Sequence, residues 1–359
     1  MKIRLAAITG IAFASSAALV APAFAAPTAP PSEIASSGVI RSDAPIEVSQ
    51  LSGATKVGDK LLVVNDVTPN KDLGQAVLSL PTRFQNGFTA QPMTELPKID
   101  VQKLEAITTS PDGKTVMAMT AFDRYSEDRK ADAFNVLVSW PADDPSKASV
   151  VGSDTRNPQA SLELRNQLAA AMPASKFFKI EGLAATPDKL LFGVRETGKE
   201  TYKDSKYGVD IVSIGYSYVD GKLKLNGPAT KQWSMSADQK KDLKHKDIGV
   251  SDLAYSKTTD KVTMTTSGEF AETPDGVTGY LWTIPVSELR PGGKAELATT
   301  ETGAALQFTH KPEGVVPLSN DETLVIHDDD RRRTNVIAPF GELRERQMAE
   351  SAFDIVRLK

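Results

Sequence analysis

Apolar and β-branched residues occur along this chain in short runs separated by turn-forming residues. Five segments share one plan: an apolar residue, then Glu or Ser, a small or apolar step, a turn rich in Pro, Asp, Gly or Lys, and a second apolar run with a polar end. Such runs joined by Asp- and Gly-containing turns are typical of β-hairpins. The Glu or Ser positions of the five predicted hairpins are Ser52, Glu105, Glu181, Ser251 and Glu313.

A second pair of predicted strands follows four of these hairpins. The pairs are 76–80 with 87–90, 134–140 with 148–152, 211–219 with 222–225, and 279–285 with 294–298. Two hairpins in series make a four-stranded antiparallel unit, and radial packing of such units buries both faces of each sheet. The predicted fold class is therefore an all-β β-propeller, with five four-stranded blades. One alternative is a six-bladed propeller in which one blade is not recognised in the sequence. Another is that the repeat is only a chance alternation of apolar and polar residues in a β-rich chain.

The last predicted unit is one strand short of a full blade. After Asp328 the chain offers the apolar stretches 335–339 and 353–358, while Ile46-Glu47-Val48 stands just before the first unit. We expect this N-terminal strand to complete the last blade and close the ring. Helical periodicity is confined to 161–172 and, more weakly, to 341–352, and both are predicted to be insertions.

The N-terminal residues have the pattern of a secretory signal. Lys2 and Arg4 precede the apolar run 5–20, and Ala23-Phe24-Ala25 is a small-x-small cleavage pattern. We expect a signal peptide over 1–25, a flexible Pro-rich leader over 26–37, and a single propeller domain over 38–359. The predicted location is the periplasm or the outside of the cell. The chain has no cysteine, so disulfides do not contribute to its stability.

The charge balance limits the classes of partner. The formal net charge is −4, whereas nucleic acid and anionic membranes both require a basic face. No later stretch is apolar enough for a membrane span. We expect a monomer whose partner is a small anionic molecule, or a protein bound through the outer loops.

Acidic residues recur at the positions that line a propeller's channel. The first strand of each blade faces the channel, so the five Glu and Ser positions should form a ring, and the second strands end nearby with further charged residues. Close carboxylates raise one another's pKa unless cations lie among them. The expected cation ligands are Glu105, Glu181, Glu313, Asp66 and Asp328. The arginines expected to bind an anionic ligand are Arg124, Arg195 and Arg331, because guanidinium groups bind oxyanions in bidentate fashion. Structural locking of the blades by the glutamates is an equal alternative.

Other catalytic signals are weak. The chain has no nucleophile elbow, no phosphate-binding glycine loop and no cysteine nucleophile. His310 and His327 flank Glu313, but no close spacing enforces a metal site, and packing roles are favoured. The loop 196–207, with three lysines and two tyrosines, is either a flap over the channel or a mobile surface loop.

Two of the hairpins resemble a known family. The segments Phe178-Lys179-Ile180-Glu181-Gly182-Leu183-Ala184 and Lys311-Pro312-Glu313-Gly314-Val315 resemble the Glu-Gly-Leu hairpins of secreted bacterial phytase-like β-propellers. The resemblance implies a propeller fold, calcium as a candidate ion and, in some members of the family, hydrolysis of phosphoesters or related esters near the channel mouth. The fourth unit departs from the pattern, since Ser251-Asp252 stands where the family has Glu-Gly.

Two hypotheses of function follow. In the first, the chain is an exported, metal-assisted ester or phosphoester hydrolase, in which the carboxylates hold a calcium ion and the arginines orient an anionic substrate. In the second, it is a non-catalytic periplasmic binding or scaffolding module whose glutamates serve the fold.

Overall fold

The computed structural model describes residues 31–42, 48, 50–66, 72–81, 88–125, 129–270, 276–328, 334–337, 342–347 and 349–358. The predicted signal peptide, residues 46 and 47 of the predicted closing strand, and Arg331 lie outside the described residues. Among the described residues, no helix is long and apolar enough to cross a membrane.

The strands form five four-stranded units, each called a blade here. The first strand of the chain, β1 (Glu33–Ser42), belongs to the last of them. The first blade consists of β2 (Leu51–Val57), β3 (Lys60–Asn65), β4 (Val77–Pro81) and β5 (Phe88–Pro92). The second consists of β6 (Leu104–Thr109), β7 (Thr115–Thr120), β8 (Leu137–Pro141) and β9 (Ser149–Val150). The third consists of β10 (Phe177–Ala185), β11 (Lys189–Gly198), β12 (Lys206–Val219) and β13 (Lys222–Ser234).

The remaining strands complete the ring. The fourth blade consists of β14 (Gly249–Ser256), β15 (Lys261–Glu269), β16 (Val277–Pro285) and β17 (Glu296–Leu297), with β18 (Gln307–Phe308) also paired to β16. The fifth consists of β19 (Pro312–Pro317), β20 (Glu322–His327), β23 (Glu350–Arg357) and β1. A separate hairpin, β21 (Asn335–Ile337) with β22 (Leu343–Glu345), lies between β20 and β23 in the chain.

The inner strands close a ring of five. In cyclic order, β2 contacts β6, β6 contacts β10, β10 contacts β14, β14 contacts β19, and β19 contacts β2. Almost every residue of these strands is buried, because each inner strand is covered by neighbouring blades on both faces. Apolar clusters fill all five interfaces between consecutive blades. The prediction of a five-bladed β-propeller is therefore confirmed.

An N-terminal strand completes the fifth blade, but it is not the predicted one. β1 pairs antiparallel with β23, from Glu33 opposite Arg357 to Arg41 opposite Glu350, and its last residues also pair in parallel with β5. Residues 33–37, assigned from the sequence to a flexible leader, therefore belong to a strand. Residues 34–36 are exposed, so backbone pairing rather than burial holds this part of β1.

The helical predictions have mixed outcomes. The helix predicted over 161–172 is confirmed by α2 (Leu162–Ala171), which packs against β13. A second, short helix, α1 (Leu73–Ala76), was not predicted, and Asp72 caps its N-terminus. The weaker prediction, a helix over 341–352, is wrong, because this stretch contains β22 and the start of β23. Four short 3-10 helices complete the described elements: Asp132–Phe134, Pro145–Lys147, Tyr202–Asp204 and Val286–Glu288.

Candidate functional site: the charged end of the central channel

The structure brings the repeated Glu and Ser positions together at the start of the inner strands. All five of these residues are buried. Ser52 Oγ donates to Glu105 Oε2 at 2.8 Å, across the boundary between the first two blades. The negative charge of Glu181 contributes, after burial, to the raised pKa of Glu313, so these two carboxyl groups lie near each other. The five inner strands thus bring the equivalent Glu and Ser positions of the repeat to the same end of the central channel.

Lysines from the chain itself lie among these carboxylates. Each ring glutamate has a lysine two residues earlier, at positions Lys103, Lys179 and Lys311. Lys103 Nζ lies 3.3 Å from Glu105 Oε1, and Lys311 Nζ lies 2.9 Å from Glu313 Oε1. Lys179 Nζ binds Glu181 and also lies 3.4 Å from Glu105 Oε1. The positive charge that the acidic ring requires is therefore supplied by side chains.

Arg195 occupies the interior of the ring at the fourth blade. Its Nε lies 3.1 Å from Glu181 Oε2, and its Nη1 donates to Ser251 Oγ and Ser267 Oγ, each at 3.0 Å. The guanidinium also lies 4.9 Å from the ring centroid of Tyr207. This arrangement explains why the fourth blade has serine where three others have glutamate: the space beside Ser251 is filled by an arginine from the third blade. Arg195 is therefore bound within the protein through both its Nε and its Nη1.

Asp252 is a buried carboxylate whose role could not be predicted from the sequence. Its two oxygens accept the backbone N–H groups of Leu253, at 2.8 Å, and Val315, at 3.0 Å, so it joins the fourth blade to the fifth. Burial raises its pKa well above the usual range, despite these donors. The departure from the Glu-Gly pattern at Ser251-Asp252 therefore coincides with a link between blades.

The carboxyl groups near the lysines have pKa values that are driven apart. Burial raises the pKa of Glu313 to about 7, because the effect of Lys311 is smaller than the cost of desolvation. Burial, together with the negative charge of Glu105, raises the pKa of Asp66 to about 6. Burial acts in the same sense on Glu105, but Lys179, Lys103 and the Ser52 hydrogen bond together lower its pKa to about 2. One end of the channel thus holds both a firmly ionised carboxylate and a carboxyl group that titrates near neutral pH.

The residues expected to hold calcium do not fit such a site. Calcium takes six to eight oxygen ligands around one point. Across the part of the chain that the structure describes, no three Asp, Glu or His side chains are grouped closely enough to hold a metal ion. Asp66 Oδ2 lies 3.7 Å from Lys103 Nζ, and the buried Asp328 donates its backbone N–H to the Lys311 carbonyl. Glu105, Glu181 and Glu313 each have an ammonium group beside them instead.

His327 is bound to an aspartate of its own blade. Its Nε2 lies 2.9 Å from Asp354 Oδ2, and Asp354 also accepts a hydrogen bond from Ser37 Oγ of β1. The His327 ring packs against His310, with 5.2 Å between ring centroids. These contacts place His327 in the packing of the fifth blade.

Arg124 lies apart from Arg195. It is half exposed, its guanidinium lies 4.0 Å from the ring centroid of Phe134, and its Nε lies 3.9 Å from Asp123 Oδ1. It borders a cavity of about 780 Å³ between the second and third blades, which Tyr202 of the 196–207 loop also lines. Arg124 and Arg195, which were predicted to bind one ligand together, therefore lie at different sites.

Comparisons with known proteins give no family. No family model and no curated protein matches this chain. Among solved structures, the α-L-arabinanase of Penicillium chrysogenum is similar at 10% identity and a TM-score of 0.44, covering 92% of this chain and 99% of that one. The periplasmic gluconolactonase of Pseudomonas aeruginosa has 10% identity and a TM-score of 0.34, covering 86% and 88%.

The hydrazine synthase of Kuenenia stuttgartiensis has 11% identity and a TM-score of 0.35, covering 78% of this chain. This chain spans 65% of that longer chain. Likenesses of this strength carry no argument about activity, and the assignment of the fold depends on the strand pairing described above.

Proposed function

We propose that the protein binds a small anionic molecule at the lysine-lined mouth of its channel. The observation that carries the proposal is the difference in exposure between the two charge types. The side chains of Lys103, Lys179 and Lys311 are 20%, 15% and 11% exposed, whereas those of the three ring glutamates are each 2% exposed. A molecule that enters the mouth therefore meets mainly ammonium groups first.

The charges of the cluster support the same proposal. Four basic side chains, Lys103, Lys179, Lys311 and Arg195, interact with four acidic ones, Asp66, Glu105, Glu181 and Glu313. Because the pKa of Glu313 is about 7, this glutamate is partly protonated at neutral pH, which reduces the negative charge beside Lys311. Lys103 is also close enough to Lys179 for the second ammonium group to lower its pKa, although Glu105 raises it more. An anion between the two lysines would relieve this repulsion.

A phosphate or carboxylate is the chemistry that this mouth suits. Lysine ammonium groups bind such oxyanions as compact point charges with several donors each. The ligand class agrees with the phytase-like resemblance, which implies an anionic substrate. The proposal does not include calcium, because the described carboxylates are already engaged by lysines and by Arg195.

Ester or phosphoester hydrolysis is a second candidate, favoured by one observation. A carboxyl group with a pKa near the working pH exchanges protons readily, and carboxyls with separated pKa values are typical of acid–base sites. Glu313 at about 7 and Glu105 at about 2 form such a set beside the proposed anion site. In this candidate Glu313 accepts the proton that the attacking water loses and donates it to the departing oxygen, and Lys103, Lys179 and Lys311 hold the anionic group of the substrate.

Binding can be tested by calorimetry with inorganic phosphate and with citrate. The double variant Lys103→Met/Glu105→Gln removes one charge of each sign, so it keeps the charge balance of the cluster while removing one ammonium group. We expect it to bind at least tenfold more weakly than the wild-type chain. The control is Lys56→Met, which removes an exposed lysine near the opposite end of β2 and should leave binding unchanged. A wild-type chain that binds neither probe would favour the non-catalytic scaffolding hypothesis.

Hydrolysis needs a separate assay. Turnover of the anionic ester p-nitrophenyl phosphate would be measured for the wild-type chain and for Glu313→Gln, with the uncharged p-nitrophenyl acetate as the comparison that lacks a group for the lysines to hold. We expect the variant to lose turnover and to keep its affinity for phosphate, since the lysines remain. Binding without turnover in the wild-type chain would leave the anion-binding proposal standing and reject the hydrolase.

A further inference from the structure

A second cavity lies off the channel axis, between the second and third blades. Its volume is about 780 Å³. Residues from the segment after β7, from α2, and from both ends of the β10–β11 hairpin line it, among them Arg124, Tyr125, Arg165, Phe177 and Tyr202. The lining thus combines basic and aromatic side chains, which is a composition suited to small-molecule binding.

Arg165 is the unusual member of this lining. The residue is 8% exposed and lies on the buried side of α2, next to Leu162, Leu164 and Leu168. No hydrogen bond or ion pair joins its guanidinium to any described residue, and its Nε is shielded from solvent without a partner. Buried arginines are ordinarily paired with an anion, because an isolated charge is costly to remove from water. Burial accordingly lowers the pKa of Arg165.

Two aromatic rings fix the position of the Arg165 guanidinium. Its Cζ lies 4.4 Å from the ring centroid of Tyr125 and 5.1 Å from that of Phe178. Cation–π contacts of this kind stabilise the cation but leave the N–H donors at the edge of the guanidinium unused. The donors are therefore available to a planar, bidentate acceptor such as a carboxylate.

The cavity also offers exposed aromatic surface. The residues Tyr125 and Tyr202 are 51% and 67% exposed, and the Tyr202 ring packs edge-on against Phe177 at 5.7 Å between centroids. Asp204 holds the segment that carries Tyr202, because its carboxylate accepts the backbone N–H groups of Thr201, at 2.7 Å, and Lys199, at 2.9 Å. A rigid, exposed tyrosine is a suitable surface for the face of a ring.

We propose that this cavity binds a small molecule that consists of a ring with one carboxylate, held by the Arg165 guanidinium and packed against Tyr125 and Tyr202. A monoanion matches the single unpaired arginine. The one lysine among the described lining residues, Lys176, is already paired with Glu200 at 2.7 Å, and Glu200 would repel a phosphate dianion more strongly than a monoanion. This site is separate from the channel mouth, and the proposal does not depend on the function proposed above.

The ring could be a sugar or an aromatic ring, and the experiment distinguishes the two. Binding of glucuronate and of phenylacetate to the wild-type chain would be measured by calorimetry, with glucose and phenylacetamide as their uncharged counterparts. We expect one of the two acids to bind and its uncharged counterpart to bind at least tenfold more weakly. Equal affinity for an acid and its uncharged counterpart, or no binding of either acid at millimolar concentration, would overturn the proposal.

Variants locate the site. Arg165→Met keeps the packing of the aliphatic stem and should weaken binding of the acid at least tenfold, without a lower melting temperature. Arg165→Lys keeps the charge but not the planar fork, and it should weaken binding to a smaller extent. The control Arg156→Met, at an exposed arginine paired with Asp154, should bind like the wild-type chain. A loss of binding in Lys103→Met/Glu105→Gln but not in the Arg165 variants would place the acid at the channel mouth and overturn the proposal.

Discussion

Lys179 Nζ lies 3.4 Å from Glu105 Oε1, across the boundary between the third blade and the second, and it also binds Glu181 on its own strand. One ammonium group therefore joins two blades near the axis of the ring. The boundary between the third and fourth blades is bridged in a similar way by Arg195 and Ser251. The charged end of the channel thus serves the fold as well as the proposed site, and the two roles can be separated by measurement.

We expect the effects of substituting Lys179 and Glu105 on the free energy of unfolding to be strongly coupled. Removing one partner of a buried ion pair leaves an uncompensated charge, so Lys179→Met and Glu105→Gln should each lower the free energy of unfolding by about 3 to 5 kcal/mol. The double variant should lose clearly less than the sum of the two, as urea denaturation would measure. The control is Lys176→Met, which breaks an exposed pair with Glu200 and should cost less than about 1 kcal/mol. Additive losses in the double variant would contradict the coupling.

The raised pKa of Glu313 predicts a stability that falls as the pH rises. The pKa is 4.5 in the ordinary case and about 7 in the folded chain, so between these values the folded state binds more protons than the unfolded state. Stability from this group is therefore complete below pH 4.5 and is lost as the pH rises to 7, by about 3 kcal/mol. Asp66 acts in the same direction, between 3.8 and about 6.

Glu313→Gln isolates this effect, because glutamine resembles the protonated glutamate. We expect the unfolding free energy of the variant, relative to the wild-type chain, to rise between pH 4.5 and pH 8. The other titrating groups are present in both proteins, so the difference reports Glu313 together with its electrostatic effect on Lys311, Glu181 and Arg195. Glu105, whose pKa is lowered to about 2, contributes in the opposite sense and only at lower pH. A difference that stays constant from pH 4.5 to pH 8 would show that Glu313 is not a buried, titrating group.

The sequence predicted the ring but not the partners of its members. The repeat placed Ser52, Glu105, Glu181, Ser251 and Glu313 in one register, because side chains at equivalent strand positions face the same way. Lys, an apolar residue and Glu recur in three units of the sequence, but this recurrence was not used to predict the lysines as partners of the glutamates. The bridge from Lys179 to Glu105 could not be predicted, since it depends on how far apart two blades pack.

The separation of Arg124 from Arg195 has a local cause. β11 continues through Arg195, with a register shift between Val194 and Glu196 in its pairing with β12, whereas β7 ends at Thr120 and Phe122 has a left-handed backbone with φ of 55°. The chain therefore turns away before Arg124, and this turn could not be predicted because a positive φ is uncommon at a residue other than glycine. β1 was missed for a different reason. Its partner β23 lies at the other end of the chain, and much of β1 is exposed and lacks a clear apolar pattern.

The close packing of the inner strands predicts a specific sensitivity at Gly53. A Cβ atom at this position would lie 2.6 Å from the Cα of Ala106 and 2.8 Å from the backbone nitrogen of Ile107. Backbone atoms of the second blade cannot move aside without shifting the ring, so Gly53→Ala should lower the free energy of unfolding by about 1 to 3 kcal/mol. At Gly208 the nearest atom would be 3.7 Å away, and Gly208→Ala should leave stability within about 0.5 kcal/mol. Equal effects of the two substitutions in urea denaturation would show that the inner strands are not tightly packed there.

Closure of the ring by β1 predicts where N-terminal truncation becomes harmful. A chain that begins at residue 31 retains β1 and should have the melting temperature of the full chain. A chain that begins at residue 43 loses the buried side chains of Val39 and Ile40, the Glu33–Arg357 pair and the Ser37–Asp354 hydrogen bond. It also exposes the edge of β23, and unpaired strand edges promote aggregation.

We therefore expect the shorter chain to melt at a lower temperature and to elute as aggregates in size-exclusion chromatography. A synthetic peptide of residues 31–42 should restore the melting temperature when it is added during refolding, because it can pair with β23 and β5 as β1 does. A scrambled peptide of the same composition is the matched control. If both truncated chains melt at the same temperature, the fifth blade is stable with three strands and β1 does not close the ring.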